Sequence, residues 1–210
     1  MDDFSIVDER IDAALKELEV INKYLGGNNI SRTGIKKLLS RTNNLRILDL
    51  GGGSSDNFNY LKSKPVKIFN IDLNPRACVF AKKNKKMLDV VCADALCLPL
   101  KPRKIEIAHA SLFLHHFTES EIINLLNSIK QICTAGIVIN DLRRSVLAFL
   151  GIKILTALFS KSEMVKNDGP LSVKRGFLKY ELESILNKCG FAKYEIHRKW
   201  AFRWLVIIYL

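Results

Sequence analysis

The chain has 210 residues, 48% of them hydrophobic and 26% charged, with a net charge of +12. Those proportions are ordinary for one soluble globular domain with a sizeable core and at most a small extra element. The five cysteines (Cys78, Cys92, Cys97, Cys133, Cys189) are scattered, odd in number and contain no Cys-x-x-Cys pair, which argues for reduced thiols in a cytoplasmic protein and against a disulfide framework or zinc site.

The N-terminus, MDDFSIVDER, is acidic and lacks the apolar core of a secretory signal. Residues 1–30 hold three basic and seven acidic side chains, a net of −4 that leaves +16 for the rest. Lys62 to Lys86 carries eight basic residues against the single acid Asp72. A basic surface attracts nucleic acid, anionic lipid or an acidic partner; a solvated helix face is the plainer reading.

Helical periodicity runs over residues 8–25, with Ile11, Leu15, Leu18 and the stretch from Ile21 to Leu25 on one face, and stops at Gly26-Gly27. A second short helix is expected from Ser31, as N-cap, through Leu39. The first strand covers about 45–50, and Ser54 and Ser55 can cap a helix reaching about Lys62. The second strand runs from Val66 to Asp72, and Pro75 suits the first turn of the helix after it. A third, short strand spans Leu88 to Cys92. The fourth, Ile105 to Ala110, leads into SLFLHHF. Thr118-Glu-Ser-Glu121 is a capping box that starts a helix with Ile122, Ile123, Leu126 and Ile129 inward. The fifth strand, Gly136 to Asn140, ends in Asp141.

Val146 to Phe159 is almost wholly apolar, with Lys153 its only charge. It is shorter than the ~20 residues a membrane span needs, so it reads as a buried helix, a pocket lid or an interfacial segment. A polar loop containing Asp168-Gly-Pro170 is expected next, then a helix from about Lys179 to Cys189. Two closing strands, Ala192–Arg198 and Phe202–Leu210, lie close enough to pair as an antiparallel hairpin. Strands alternating with helices predict an α/β fold, a seven-stranded mostly parallel sheet with helices on both faces, closed by that hairpin. Residues 1–42 form an N-terminal helical cap and 43–210 the main domain, with a substrate-side helical insertion at about 142–178.

Open parallel sheets bind ligands at the carboxyl ends of their strands. This sequence places there Asp49 with Gly51, Gly52 and Gly53, then Asp72, Asp94, Ser111 with His115 and His116, and finally Asn140 and Asp141. Glycines in a strand-to-helix turn allow positive φ and close approach of a ligand. Asp72, about 20 residues beyond the turn, has the spacing for gripping vicinal ribose hydroxyls. Asp56 stands where a dinucleotide fingerprint wants its third glycine, and an acid is poorly placed beside a pyrophosphate. Asp49 suits a cationic amino group. The implied ligand is adenosyl and zwitterionic, without phosphates.

These residues resemble a known family. Ile47-Leu-Asp-Leu-Gly-Gly-Gly-Ser is similar to the first motif of class I S-adenosylmethionine-dependent methyltransferases. Asn70-Ile-Asp72-Leu73 resembles their second, and Ala93-Asp94-Ala95-Leu-Cys-Leu-Pro99 their third. The segment from Ile105 to Phe117 resembles their fourth strand and its exit. The resemblance implies S-adenosylmethionine as cofactor, with Asp49 and Gly51 to Gly53 at the methionine end. It puts Asp72 on the ribose, Leu73 against adenine, and Asp94 with Ala95 at the adenine amino group; Ser111 joins the same site. Ser55 departs from the family's further glycine, and Glu106 replaces the commoner Asp.

NDLRRS (140–145) and DGPLSVKRGF (168–177) resemble a bacterial subgroup that accompanies polyketide-synthesising and quinone-modifying enzymes. That would place Asn140, Asp141, Arg143 and Arg175 near the substrate entrance. His115, His116 and Asp141 are the candidate catalytic residues, since a neutral imidazole can take a hydroxyl proton near pH 7. His109, inside the strand, reads as a satisfied core residue. The expectation is O-methylation of a small hydrophobic acceptor of phenolic, polyketide or quinone type. No Asn/Asp-Pro-Pro-Tyr/Phe run follows the fourth strand, which argues against amino-methylation of nucleic-acid bases, and a nucleic-acid partner is not expected. RNA methylation, a scaffold without turnover and an NAD-binding module are the alternatives, and weak membrane-surface association stays open.

Overall fold

The computed structural model describes residues 8–39, 45–61, 66–84 and 88–210. The first seven residues and four of the eight basic residues of the 62–86 run (Lys62, Lys64, Lys85 and Lys86) lie outside those described. One seven-stranded sheet has the order β3-β2-β1-β4-β5-β7-β6. Its strands are β1 (Leu45–Leu50), β2 (Val66–Asp72), β3 (Leu88–Cys92), β4 (Ile105–Ser111), β5 (Cys133–Leu142), β6 (Tyr194–Lys199) and β7 (Arg203–Tyr209). The first five pair in parallel, while β7 runs antiparallel between β5 and β6. The strand order reverses between β1 and β4, so a crevice opens there at the strands' carboxyl ends.

Alternation along the strands feeds two cores. Leu48, Ala108, Ile137 and Val206 face one side with Ile122, Leu126, Ile129, Leu182 and Ile185. The latter come from α4 (Glu119–Ile132) and α7 (Lys179–Lys188). Ile47, Ile107, Val138 and Leu205 face the other, packed on Ile35 and Leu38 of α2 (Gly27–Leu39) and Ala81 of α3 (Pro75–Asn84). The capping box forms, with Thr118 accepting from Glu121 N and the Glu121 carboxylate accepting from Thr118 N. Helix α1 (Glu9–Tyr24) is capped by Asp8, and its Asp12 pairs with Arg76 of α3 at 2.7 Å. That pair engages one member of the basic run internally, and Lys82 Nζ donates to Leu88 O.

Three expectations change. Helix α2 starts at Gly27, four residues before the expected cap, so Ser31 is a buried helical residue and its hydroxyl is free to bond elsewhere. The glycine turn leads into a 3-10 turn, Asp56–Leu61, where an α-helix was expected. Asn57 has a low intrinsic helix propensity, and Ser55 enters at φ 50°. The expected polar loop is α6 (Glu163–Arg175), with Pro170 inside it. Proline disfavours a helix interior, yet Val165 and Val173 are buried there, and a Cβ on Gly169 would lie 3.2 Å from Ile152 of α5 (Val146–Phe159). Close packing of α5 on α6 outweighs local propensity.

Candidate active site

The crevice is a cavity of about 990 Å³ at the carboxyl ends of β1, β2 and β4, covered by α1, α5 and α6. Its floor is the glycine turn. Gly51 and Gly53 take φ of 57° and 49°, a region that L side chains reach only at a cost. A Cβ on Gly51 would come within 2.0 Å of the Phe113 ring, and one on Gly52 within 2.4 Å of Asp49 Oδ2. The loop can therefore lie this low only as glycine.

Asp49 is nearly fully buried, and both its oxygens are engaged from behind the loop. Ser55 Oγ donates to Oδ2 at 2.6 Å, and His109 Nδ1 meets Oδ1 at 2.7 Å. His109 Nε2 continues to Ser31 Oγ at 2.8 Å. Ser31 Oγ also accepts from Asn140 Nδ2, which donates as well to Gly27 O. The chain of bonds joins the glycine turn to β4, α2 and β5. His109 is thus a fully satisfied interior residue, as its place in the strand suggested. Ser55, at a strained φ, is held by donating to Asp49 and accepting from Asn70 Nδ2 at 2.7 Å.

Asp72 lies at the wall with Leu73, Asp94, Ala95 and Ser111. Its Oδ2 accepts from Gly53 N at 3.0 Å and its Oδ1 from Asn74 N at 2.9 Å. Burial raises its pKa, partly offset by those two N–H bonds. Asp94 Oδ1 caps the short turn at Ala95 through Leu96 N. The hydroxyl of Ser111 is buried without a hydrogen-bond partner among the described residues.

On the opposite wall, His115 Nδ1 meets Asp141 Oδ1 at 2.6 Å. Asp141 is fully buried; burial alone would push its carboxyl up, but the adjacent His115 ring and the Leu142 N–H hold it below the ordinary range. Its Oδ2 accepts from Leu114 N at 2.9 Å. With Asp141 ionised, the Nδ1–H of His115 donates to it. His115 Nε2 is buried and bonded to nothing among the described residues. His116 is exposed and packs on His115 with ring centroids 4.2 Å apart. All three candidate catalytic residues therefore meet, with His115 and His116 lining the cavity and Asp141 behind.

The entrance group divides. Arg143 and Arg175 line the cavity, whereas Asn140 is wholly interior, serving the network beneath the glycine turn. Leu155 lines the cavity, and Leu150 points away from it, 49% exposed.

The sequence reading missed Arg203. This first residue of β7 lines the cavity at only 2% exposure. Its guanidinium donates to Asn22 Oδ1 at 2.9 Å and to Asn140 Oδ1 at 3.4 Å. Among the described residues no carboxylate lies within 4 Å of it. Burial lowers its pKa to about 10 despite Asp141 and Asp56 nearby. No motif marks such a residue in sequence, because its polar neighbours come from α1 and β5.

Ser55 gives a test by magnitude. Ser55→Gly would relieve about 1 kcal/mol of backbone strain but withdraw the hydroxyl from buried Asp49 and Asn70, a loss of about 1–3 kcal/mol. Chemical denaturation should therefore show a net loss of roughly 1 kcal/mol, whereas a stabilised variant would mean the bridge contributes little.

The family model for a methyltransferase domain matches residues 47–136. No curated protein sequence matches the chain. Human N-acetylserotonin methyltransferase, solved with S-adenosylmethionine, superposes with a TM-score of 0.68 at 18% identity, over 98% of this chain and 57% of that one. The plantazolicin methyltransferase BpumL, solved with S-adenosylhomocysteine, gives 0.68 at 17% identity, over 95% and 98%. An S-adenosylmethionine-dependent methyltransferase from Aquifex aeolicus gives 0.60 at 15%, over 83% and 88%. The chain spans 57% of the human protein and 56% of a similar structure from Nostoc punctiforme. At these identities the structural likeness is one of fold.

Proposed function

From the premise that this chain is a class I methyltransferase, with that family's domain over residues 47–136, we propose that it methylates an oxygen of a small, apolar acceptor, using S-adenosylmethionine. The observation that carries the acceptor chemistry is His115, a residue of the cavity wall whose Nδ1 is held by an ionised carboxylate and whose buried Nε2 has no partner among the described residues.

The residues present fit the cofactor. Asp72 keeps a carboxylate at the wall, where vicinal hydroxyls would donate to it, and Ser111 Oγ awaits a polar partner. Leu73 is an exposed apolar side chain beside it, suited to an adenine face, with Asp94 and Ala95 next along the wall. The glycine turn ends in a six-residue 3-10 turn, so no α-helix N-terminus stands there to favour a pyrophosphate. That disfavours a dinucleotide. The Arg203 guanidinium, with Asn22, is the cation that a buried carboxylate of the amino-acid end would meet. Asp49 acts here by holding the glycine turn from behind rather than by offering a free oxygen.

When bound, the cofactor supplies an electrophilic methyl group and leaves as a neutral thioether. His115 Nε2 accepts the acceptor's hydroxyl proton as its oxygen attacks. Asp141 fixes the tautomer and stabilises the imidazolium that forms; it is a positioning residue. Alignment in a water-poor cavity can supply about 7 kcal/mol or more of the barrier reduction, and a positioned base a further ~10²–10⁴-fold. Ile152 and Leu155 of α5, with Phe113 and Phe117, give the wall its apolar character. A scaffold without turnover has no use for a histidine held this way.

Two measurements check this reading. Asp72→Ala should weaken S-adenosylmethionine binding by about 2–3 kcal/mol by calorimetry, since two hydroxyls lose a charged acceptor. A protonated Asp72 cannot accept both hydroxyls, so wild-type affinity should decline as pH falls, starting at a higher pH than for an ordinary aspartate, because burial raises the pKa of Asp72. Affinity independent of both changes removes Asp72 from the site. Second, in methyl-transfer assays against a panel of phenols and hydroxyquinones, His115→Asn should lower kcat roughly 10²-fold or more and leave cofactor affinity unchanged. A change under about threefold would mean that alignment alone carries the reaction.

A further inference from the structure

Helix α5 is apolar on two faces, and the protein covers only one. Ala148, Ile152 and Leu155 turn to the cavity, while Val146, Leu147, Leu150, Ile154 and Leu158 stand in solvent, from 49% exposure at Leu150 to 75% at Val146. Positions 147, 150, 154 and 158 recur at intervals of three and four, forming one stripe along the helix. A helix apolar all round belongs in a core or in lipid, and an uncovered stripe of this kind marks an interaction surface. At 14 residues α5 is too short to cross a bilayer, and no described helix is long and apolar enough to do so.

Charge and aromatic placement point to what covers it. Between the end of β5 and the end of α6, residues 143–175 carry seven Lys or Arg against Glu163 and Asp168. Lys153, Lys161 and Lys174 are exposed, and none of them is ion-paired among the described residues. Lys153 lies on α5 itself, and α5 has no acid. At the cavity's edge Trp200, in the turn between β6 and β7, is 77% exposed, and Phe159 ends α5 in solvent. Exposed tryptophan together with apolar and basic side chains is the composition of a membrane-interface contact. A second copy of this chain would carry the same excess of positive charge on the same face, which disfavours self-pairing.

We infer that α5 seats the protein on an anionic lipid surface, with its outer stripe at the headgroup–acyl boundary and Lys153, Lys161 and Lys174 toward the headgroups. The cavity behind α5 then opens beside the bilayer, where an apolar acceptor concentrates. That last step rests on the proposed acceptor class; the lipid contact itself does not depend on methyl transfer.

Co-sedimentation of the whole chain with vesicles tests it. Vesicles of equimolar phosphatidylglycerol and phosphatidylcholine should bind the protein at least about tenfold more tightly than phosphatidylcholine alone, and salt should weaken the binding. The triple variant Leu150→Glu, Ile154→Glu, Leu158→Glu should lose roughly tenfold or more with S-adenosylmethionine affinity unchanged. If that variant melts early, Lys153→Glu with Lys161→Glu supplies the same reading through charge. No binding to anionic vesicles at low salt overturns the inference, as does binding that neither variant alters. A dimer by light scattering that the triple variant dissolves, without vesicle binding, would assign the stripe to a second copy instead and equally overturn it. Vesicle binding without turnover on any phenol would leave the lipid contact standing and contradict only the proposed acceptor.

Discussion

The hydrogen bonds at Asp49 hold the geometry on which this site depends. A buried carboxylate costs several kcal/mol unless its oxygens are satisfied, and here Ser55 and His109 satisfy them. Through His109 and Ser31 the same bonds reach α2, and through Asn140 they reach β5. The glycine turn is therefore fixed by the interior, and its upper side is left free for a ligand. The N-terminal cap is bound into the site by the same bonds, because α2 supplies Ser31 to the network and α1 supplies Asn22 to Arg203.

A second Asp–His pair shows how one chemical unit takes two roles. In Asp49–His109 the distal ring nitrogen is bonded to Ser31, and the unit is closed. In Asp141–His115 the distal nitrogen has no partner among the described residues, and the His115 side chain lines the cavity. Both carboxylates are buried and both contacts are short. What separates the two pairs is one hydroxyl, that of Ser31. Backbone strain follows the same geography: Ser55, Leu112, Ala201 and Phe202 all take positive φ, and the last three line the cavity. Such conformations persist where surrounding contacts over-determine them.

The sheet was legible because most of its strands are largely apolar runs, and Leu88–Cys92 was bounded to the residue. Pro75 and the Thr118–Glu121 box marked helix starts by local chemistry alone. Where local signals opposed tertiary packing, the reading failed. Gly26-Gly27-Asn28-Asn29 reads as a stop, yet α2 begins there; a Cβ on Gly34 further along would lie 2.6 Å from Val138, which shows how tightly that helix is pressed on the sheet. Pro170 reads as a loop but sits within α6. The site residues on strand ends were visible as a set, whereas the partners that give them meaning were not. Asp49 and His109 lie 60 residues apart, His109 and Ser31 78, and Arg203 looks like any cation at the start of a strand.

The central claim is that one cavity aligns an adenosyl cofactor with His115, and a crystal structure with S-adenosylhomocysteine tests it most directly. The ribose hydroxyls should lie within hydrogen-bond distance of Asp72, with the thioether sulfur facing the part of the cavity that His115 lines. A ligand bound with its ribose away from Asp72, or with its sulfur walled off from His115, would contradict the account.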